Sequence, residues 1–138
     1  MLKKTVYIRG IDHIVLRTVQ PQVMIDFYCS ILGCVVERQL AKSIGLTQLR
    51  AGNALIDIVD VSELGRTGGG APTATERNLD HFCLVLEPIS NEQLKSYLEQ
   101  NGLIVGNFED RYGAEGIGPS LYIKDPDDNV VELKSALS

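Results

Sequence analysis

The chain has 138 residues, 44% of them hydrophobic and 22% charged, with a formal net charge of -5. That balance predicts a folded core and rules against a largely disordered chain. The acidic excess works against nucleic acid and anionic membrane surfaces as partners, because both require a basic patch.

Residues 11 to 18 predict a strand of nearly continuous apolar character, as expected where both sheet faces are covered. Pro21 presets the first turn of a helix over about 21–32, in which Met24, Phe27, Tyr28, Ile31 and Leu32 form one apolar stripe, and Gly33 supplies a left-handed stop. Three short strands follow at roughly 34–40, 44–51 and 54–61, the last two turned through Gly52-Asn53. Residues 62–78 are rich in Gly, Thr, Ser and Pro without periodicity and read as a loop. A second series begins with a strand at 79–87 and a helix opened by Ser90 and Gln93 in capping-box spacing, with Leu94, Tyr97 and Leu98 on one face. Asn101-Gly102 end it, and strands are expected at 103–107, 118–124 and 129–134, the last two joined by Asp125-Pro126-Asp127-Asp128.

The fold class is therefore α+β, built from two tandem β-α-β-β-β modules at about 11–61 and 79–134 with a linker at 62–78, in one domain spanning 1–138. No apolar run nears the ~18 residues that would span a bilayer. Lys3-Lys4 are not followed by a signal-peptide core, so a cytoplasmic location is expected. Cys29, Cys34 and Cys83 are odd in number and lie in apolar segments, which suits reduced, buried thiols.

The repeat extends to polar residues. "IDHIVL" around His13 returns as "LDHFCL" around His81, and "ALIDIV" around Asp57 is answered by "NVVELK" around Glu132. A carboxylate inside an apolar strand must be neutralised, paired or bound to a cation. A pseudo-twofold pairing of the halves would gather two imidazoles and two carboxylates, a donor set suited to Zn, Ni, Fe, Mn or Co. A domain that kept the pattern but binds ligands without metal is the competing reading. Strand alternation turns Asp12 and Asp80 away from this set. Gly68-Gly69-Gly70 lacks the Lys and helix of a phosphate loop, "GAEGIG" at 113–118 lacks a dinucleotide-binding context, and "DPDD" lacks EF-hand spacing.

The stretches "DHIVLRTV", "FYCSILG", "LDHFCLVLE" and "LYIKDPDDNVVELK" together resemble the vicinal oxygen chelate superfamily, which includes glyoxalase I, bleomycin- and fosfomycin-resistance proteins, methylmalonyl-CoA epimerase and extradiol dioxygenases. The resemblance runs from about Ile11 to Lys134. It implies two modules forming a curled mixed sheet closed around one metal, with His13, Asp57, His81 and Glu132 as ligands, often in a homodimer. It also implies a small-molecule substrate chelated through vicinal oxygens and a proton moved through an enediolate, with Glu132 or Asp57 as base. Arg17 matches a glyoxalase arginine that meets the thiol cofactor's carboxylate. Asp57 departs from the Glu of glyoxalase-like members, and its carboxylate falls ~1.5 Å short of where a Glu would reach. Tyr122, ten residues before Glu132, resembles the extradiol signature, but that signature's additional histidine is missing. Extradiol-type dioxygenase and drug-binding or thiol-transferring resistance protein are thus the alternatives to a lyase or isomerase of lactoylglutathione lyase type.

Overall fold

The computed structural model describes residues 6–65 and 70–137, so Lys3-Lys4 and Gly68-Gly69 of the loop reading lie outside the described residues. The chain divides into two compact units, Met1–Ala71 and Pro72–Ser138. The first contains β1 (His13–Thr18), α1 (Pro21–Asp26), β2 (Val35–Gln39), β3 (Leu46–Ala51) and β4 (Ala54–Asp60). Its mixed sheet has the order β1-β4-β3-β2, with β1 parallel to β4 and the other neighbours antiparallel. The second contains β5 (Phe82–Leu86), α2 (Asn91–Gln100), β6 (Glu109–Gly113), β7 (Gly116–Lys124) and β8 (Val130–Ser135) in the matching order β5-β8-β7-β6. Both are α+β with one four-stranded mixed sheet. No helix among the described residues is long and apolar enough to cross a membrane.

Three local expectations need correction. The strand expected at 103–107 is irregular, with Ile104 95% exposed, and its place is taken by Glu109–Gly113. The sequence of β6 has no apolar alternation. It becomes a strand because Gly113 and Gly116 face each other across a two-residue turn and place it beside β7. The helix expected over 21–32 starts at Pro21 but changes to π winding over Phe27–Ile31 before Gly33 (φ 81) closes it. Strand β1 is not covered on both faces. It is a sheet edge, so Leu16 and Thr18 are buried while His13 and Val15 are exposed.

In the first unit Leu16, Leu49, Ile56 and Ile58 share one buried sheet face, joined by Met24, Ile25, Phe27 and Tyr28 from the helical segment. In the second unit Leu121, Ile123, Val131 and Leu133 do the same, with Leu94 and Leu98 from α2. The inner strands β4 and β8 are buried on both faces, so Asp57, at 3% exposure, and Glu132, at 7%, stand opposite the hydrophobic row yet out of bulk water.

The turn before β8 is held by a buried carboxylate. Asp125 accepts from the backbone N–H of Asp127 (2.9 Å) and Asn129 (3.0 Å) and from the Asn129 side-chain amide (2.7 Å). Arg77 donates to the Asn129 side chain and the Asp127 carbonyl. Asp128 is the one non-glycine with positive φ among the described residues. Removing such a charged acceptor strands several donors, so Asp125→Ala is expected to destabilise the protein by about 2–4 kcal/mol. Ser90→Ala, which removes the α2 N-cap bond to Gln93 N–H, should lose only about 1 kcal/mol. Urea denaturation compares the two, and an Asp125→Ala loss no larger than that of Ser90→Ala contradicts this account.

Candidate metal centre

The candidate residues of each unit fall on one sheet face by the same register. In the first unit His13 lies opposite Leu55 and Val15 opposite Asp57 across the parallel β1–β4 pair. Asp57 is thus two residues beyond the partner of His13, on the same face. In the second unit Phe82 lies opposite Val131 and Cys83 opposite Glu132. His81 directly precedes Phe82, so Glu132 again falls two residues beyond the position facing the histidine. On the other side, Gln48 lies opposite Asp57 and Tyr122 opposite Glu132. Each unit therefore carries one imidazole, one buried carboxylate and one long polar side chain in equivalent places.

In the second unit the His81 Nε2 atom stands 3.3 Å from Glu132 Oε1. The Tyr122 ring meets the imidazole edge-to-face at 5.3 Å and 79°, and the Arg111 guanidinium carbon sits 4.5 Å from the Tyr122 ring centre. In the first unit Asp57 Oδ2 accepts a 3.1 Å hydrogen bond from Gln48 Nε2. Its Oδ1 is buried and has no hydrogen-bond partner among the described residues. A buried carboxylate oxygen left unsatisfied is unfavourable by about 1–3 kcal/mol or more, so it calls for a cation or a donor.

The acids before the histidines take a role that strand alternation did not foresee. Asp12 and Asp80 precede their strands rather than lying within them, so neither is held to the opposite face. Asp12 Oδ1 accepts from His13 Nδ1 at 2.6 Å, and Asp80 Oδ2 accepts from His81 Nδ1 at 2.7 Å. A carboxylate only accepts, so Nδ1 carries the proton, and the lone pair of the neutral ring lies on Nε2, as in metal-ligating histidines backed by a carboxylate. The His13 pKa is raised from the ordinary imidazole value, chiefly by the bond to Asp12, with burial opposing and the charges of Asp57 and Asp12 adding. The repeated Asp-His dipeptide was the readable signal for this pair of supports.

The remaining predicted residues separate. Tyr122 lies beside the His81–Glu132 pair. The Arg17 guanidinium donates to the carbonyl of Gly65 at 3.0 Å and to that of Gly70. Cys83 is exposed, not buried as expected, because β5 is an edge strand. Partial desolvation, then the Glu132 carboxylate, push its thiol up to about 11. Two neighbours on the face of Glu132 have no sequence motif. Arg111 donates to the Ser120 carbonyl and hydroxyl and to Glu109, and Lys134 donates to the carbonyls of Arg111 and Gly116.

The donors fit a divalent ion in kind, and the His81–Glu132 pair also in spacing. Two ligands each about 2.1 Å from a tetrahedral centre stand about 3.4 Å apart, close to the His81–Glu132 separation. The buried Asp57 oxygen likewise suits a cation or a hydrogen-bond donor. No group of three or more His, Cys, Asp or Glu side chains suited to a metal ion occurs among the described residues, so each unit by itself offers a pair of donors.

The model of the glyoxalase/bleomycin resistance protein/dioxygenase superfamily matches residues 10–133. No curated protein matches the chain. A virulence protein from Salmonella typhimurium shares 25% identity with a TM-score of 0.70, covering 96% of this chain and 100% of its own. Lactoylglutathione lyase from Agrobacterium tumefaciens shares 19% identity with a TM-score of 0.67, covering 93% and 94%. An antibiotic binding protein from Streptomyces shares 16% identity with a TM-score of 0.66, covering 95% and 98%. The last two likenesses establish a common fold.

The Asp12–His13 contact has a direct test. Asp12→Asn removes the charged acceptor that favours the imidazolium, so the His13 titration followed by NMR in metal-free protein should move to lower pH. No movement, or an upward one, contradicts the assignment of Asp12 as the support of Nδ1.

Proposed function

The chain belongs to the glyoxalase/bleomycin resistance protein/dioxygenase superfamily, and on that footing we propose that it is a metal-dependent, glyoxalase-like lyase or isomerase acting on a small substrate. The observation that carries this reading is the doubled half-site, His13 with Asp57 and His81 with Glu132, set in one register and each backed by an acid on Nδ1. Superfamily members commonly bind divalent metals. In the proposed centre the two units act as one domain and contribute a pair of donors each, from one chain or across a homodimer. The ion is Zn, Ni, Fe, Mn or Co.

When bound, the ion supplies Lewis-acid polarisation of two neighbouring substrate oxygens. The chain's own groups do the rest. Asp12 and Asp80 hold the imidazoles in the tautomer whose Nε2 lone pair is available. Glu132 or Asp57 takes a proton from the carbon beside a carbonyl and returns it to the adjacent carbon, the general-base role that a carboxylate can fill. Tyr122 borders the substrate next to His81. Arg17 donates to the Gly65 and Gly70 carbonyls, and in this reading it borders the substrate from the end of β1.

Titration calorimetry of the full chain with Zn, Ni and Co is expected to give about one ion per chain. His13→Ala and His81→Ala should each abolish tight binding, whereas Asp80→Asn should weaken it about 10–100-fold. Binding without metal of an apolar drug, with no uptake of any of these ions, would place the protein with the sequestering members instead. Oxygen consumption with catechols would place it with the dioxygenases.

The proton carrier is identified by deuterium exchange from solvent into a thiohemiacetal of a 2-oxoaldehyde, with metal content checked in each variant. Glu132→Gln or Asp57→Asn, whichever removes the base, should slow exchange about 10²–10⁴-fold. Undiminished exchange in both variants contradicts carboxylate catalysis.

A further inference from the structure

The two halves are alike in register but differ in how the carboxylate is held. Glu132 is long enough to come within 3.3 Å of His81 Nε2 through its own side chain, and the residue facing it, Tyr122, is turned to the imidazole. Asp57 is one methylene shorter, and the residue facing it, Gln48, is turned to the carboxylate itself, with Nε2 donating to Oδ2 at 3.1 Å. Gln48 is half-buried and Asp57 is 3% exposed, so this bond is made away from bulk water, where it fixes a side chain more firmly than at a surface. One oxygen of Asp57 is thereby spent and the other, Oδ1, is left buried without a partner.

We infer that Gln48 is a positioning residue that holds Asp57 through Oδ2, so that the carboxylate is presented to the cation through Oδ1 alone. The inference rests on the proposed metal site and adds the denticity of one ligand and the residue that sets it. An amide suits the task because it donates one N–H without adding charge beside the donor set. Without that bond the short side chain is free to turn both oxygens toward the ion. The arrangement also answers for the missing methylene: the longer ligand in the second unit reaches its place unaided, and the shorter one is clamped.

The test is Co(II) binding by the full chain, read by affinity and by visible absorption, in the wild type, Gln48→Met and Gln48→Leu. Gln48→Met keeps the length of the side chain and removes the donor, and Gln48→Leu repeats the test should the first variant fold poorly. Thermal unfolding of the metal-free proteins checks folding separately. Both folded variants should bind Co(II) about 10–100-fold more weakly, with a weaker visible band as the released Oδ2 raises the coordination number. Wild-type binding with variants unchanged in affinity and spectrum overturns the role of Gln48 alone. A wild type that takes up no Co(II), Zn or Ni overturns the metal reading and this inference with it.

Discussion

A carboxylate buried in the inner strand of each sheet is the constraint around which this protein is arranged. Asp57 and Glu132 sit in β4 and β8, strands whose two faces are both shielded, and each faces away from a hydrophobic row that cannot move without dismantling the unit's core. A charge so placed is unfavourable by several kcal/mol unless something compensates it. In the second unit His81 Nε2 stands 3.3 Å from Glu132 Oε1, with Nδ1 turned to Asp80. In the first the only hydrogen bond to Asp57 among the described side chains is that from Gln48, and one oxygen goes without. In the proposed function a divalent ion compensates these carboxylates.

The register of the two units is duplicated. An isolated histidine on an edge strand is ordinary, and so is a carboxylate beside it. Here the same offset along a parallel strand pair recurs in both units, together with an acid on Nδ1 and a long polar side chain across the next strand. The differences are as informative as the likeness. Tyr122 meets His81 edge-to-face and is itself covered by Arg111, so the second unit is the more aromatic and cationic around its carboxylate. The first unit keeps Gln48 and the exposed Arg50–Glu37 ion pair.

Much of this was legible in the residues. The strand-helix-strand order and the pairing of "ALIDIV" with "NVVELK" follow from apolar periodicity, because a lone acid interrupting such a run is conspicuous. The D-P-D-x-N turn was readable as a turn, and the structure adds that Asp125 is its buried hub. Strand β6 was not legible: its pairing depends on a two-residue turn and on the neighbour it meets, and neither leaves a hydrophobic pattern. Gln48 and Arg111 were missed for a related reason, since their importance lies in which residue faces them across a ladder. Asp12 and Asp80 were visible as a repeated dipeptide, but they lie one and two residues before β1 and β5, where strand alternation no longer fixes the side-chain direction.

The proposed function requires His13, Asp57, His81 and Glu132 as ligands of one cation. X-ray absorption at the zinc edge of the Zn-loaded full chain tests it most directly. Two imidazole rings per zinc, with Zn–N distances of about 2.0–2.1 Å and oxygen donors completing the shell, is the predicted result. A zinc with one imidazole or none, or with a sulfur at about 2.3 Å, would contradict it.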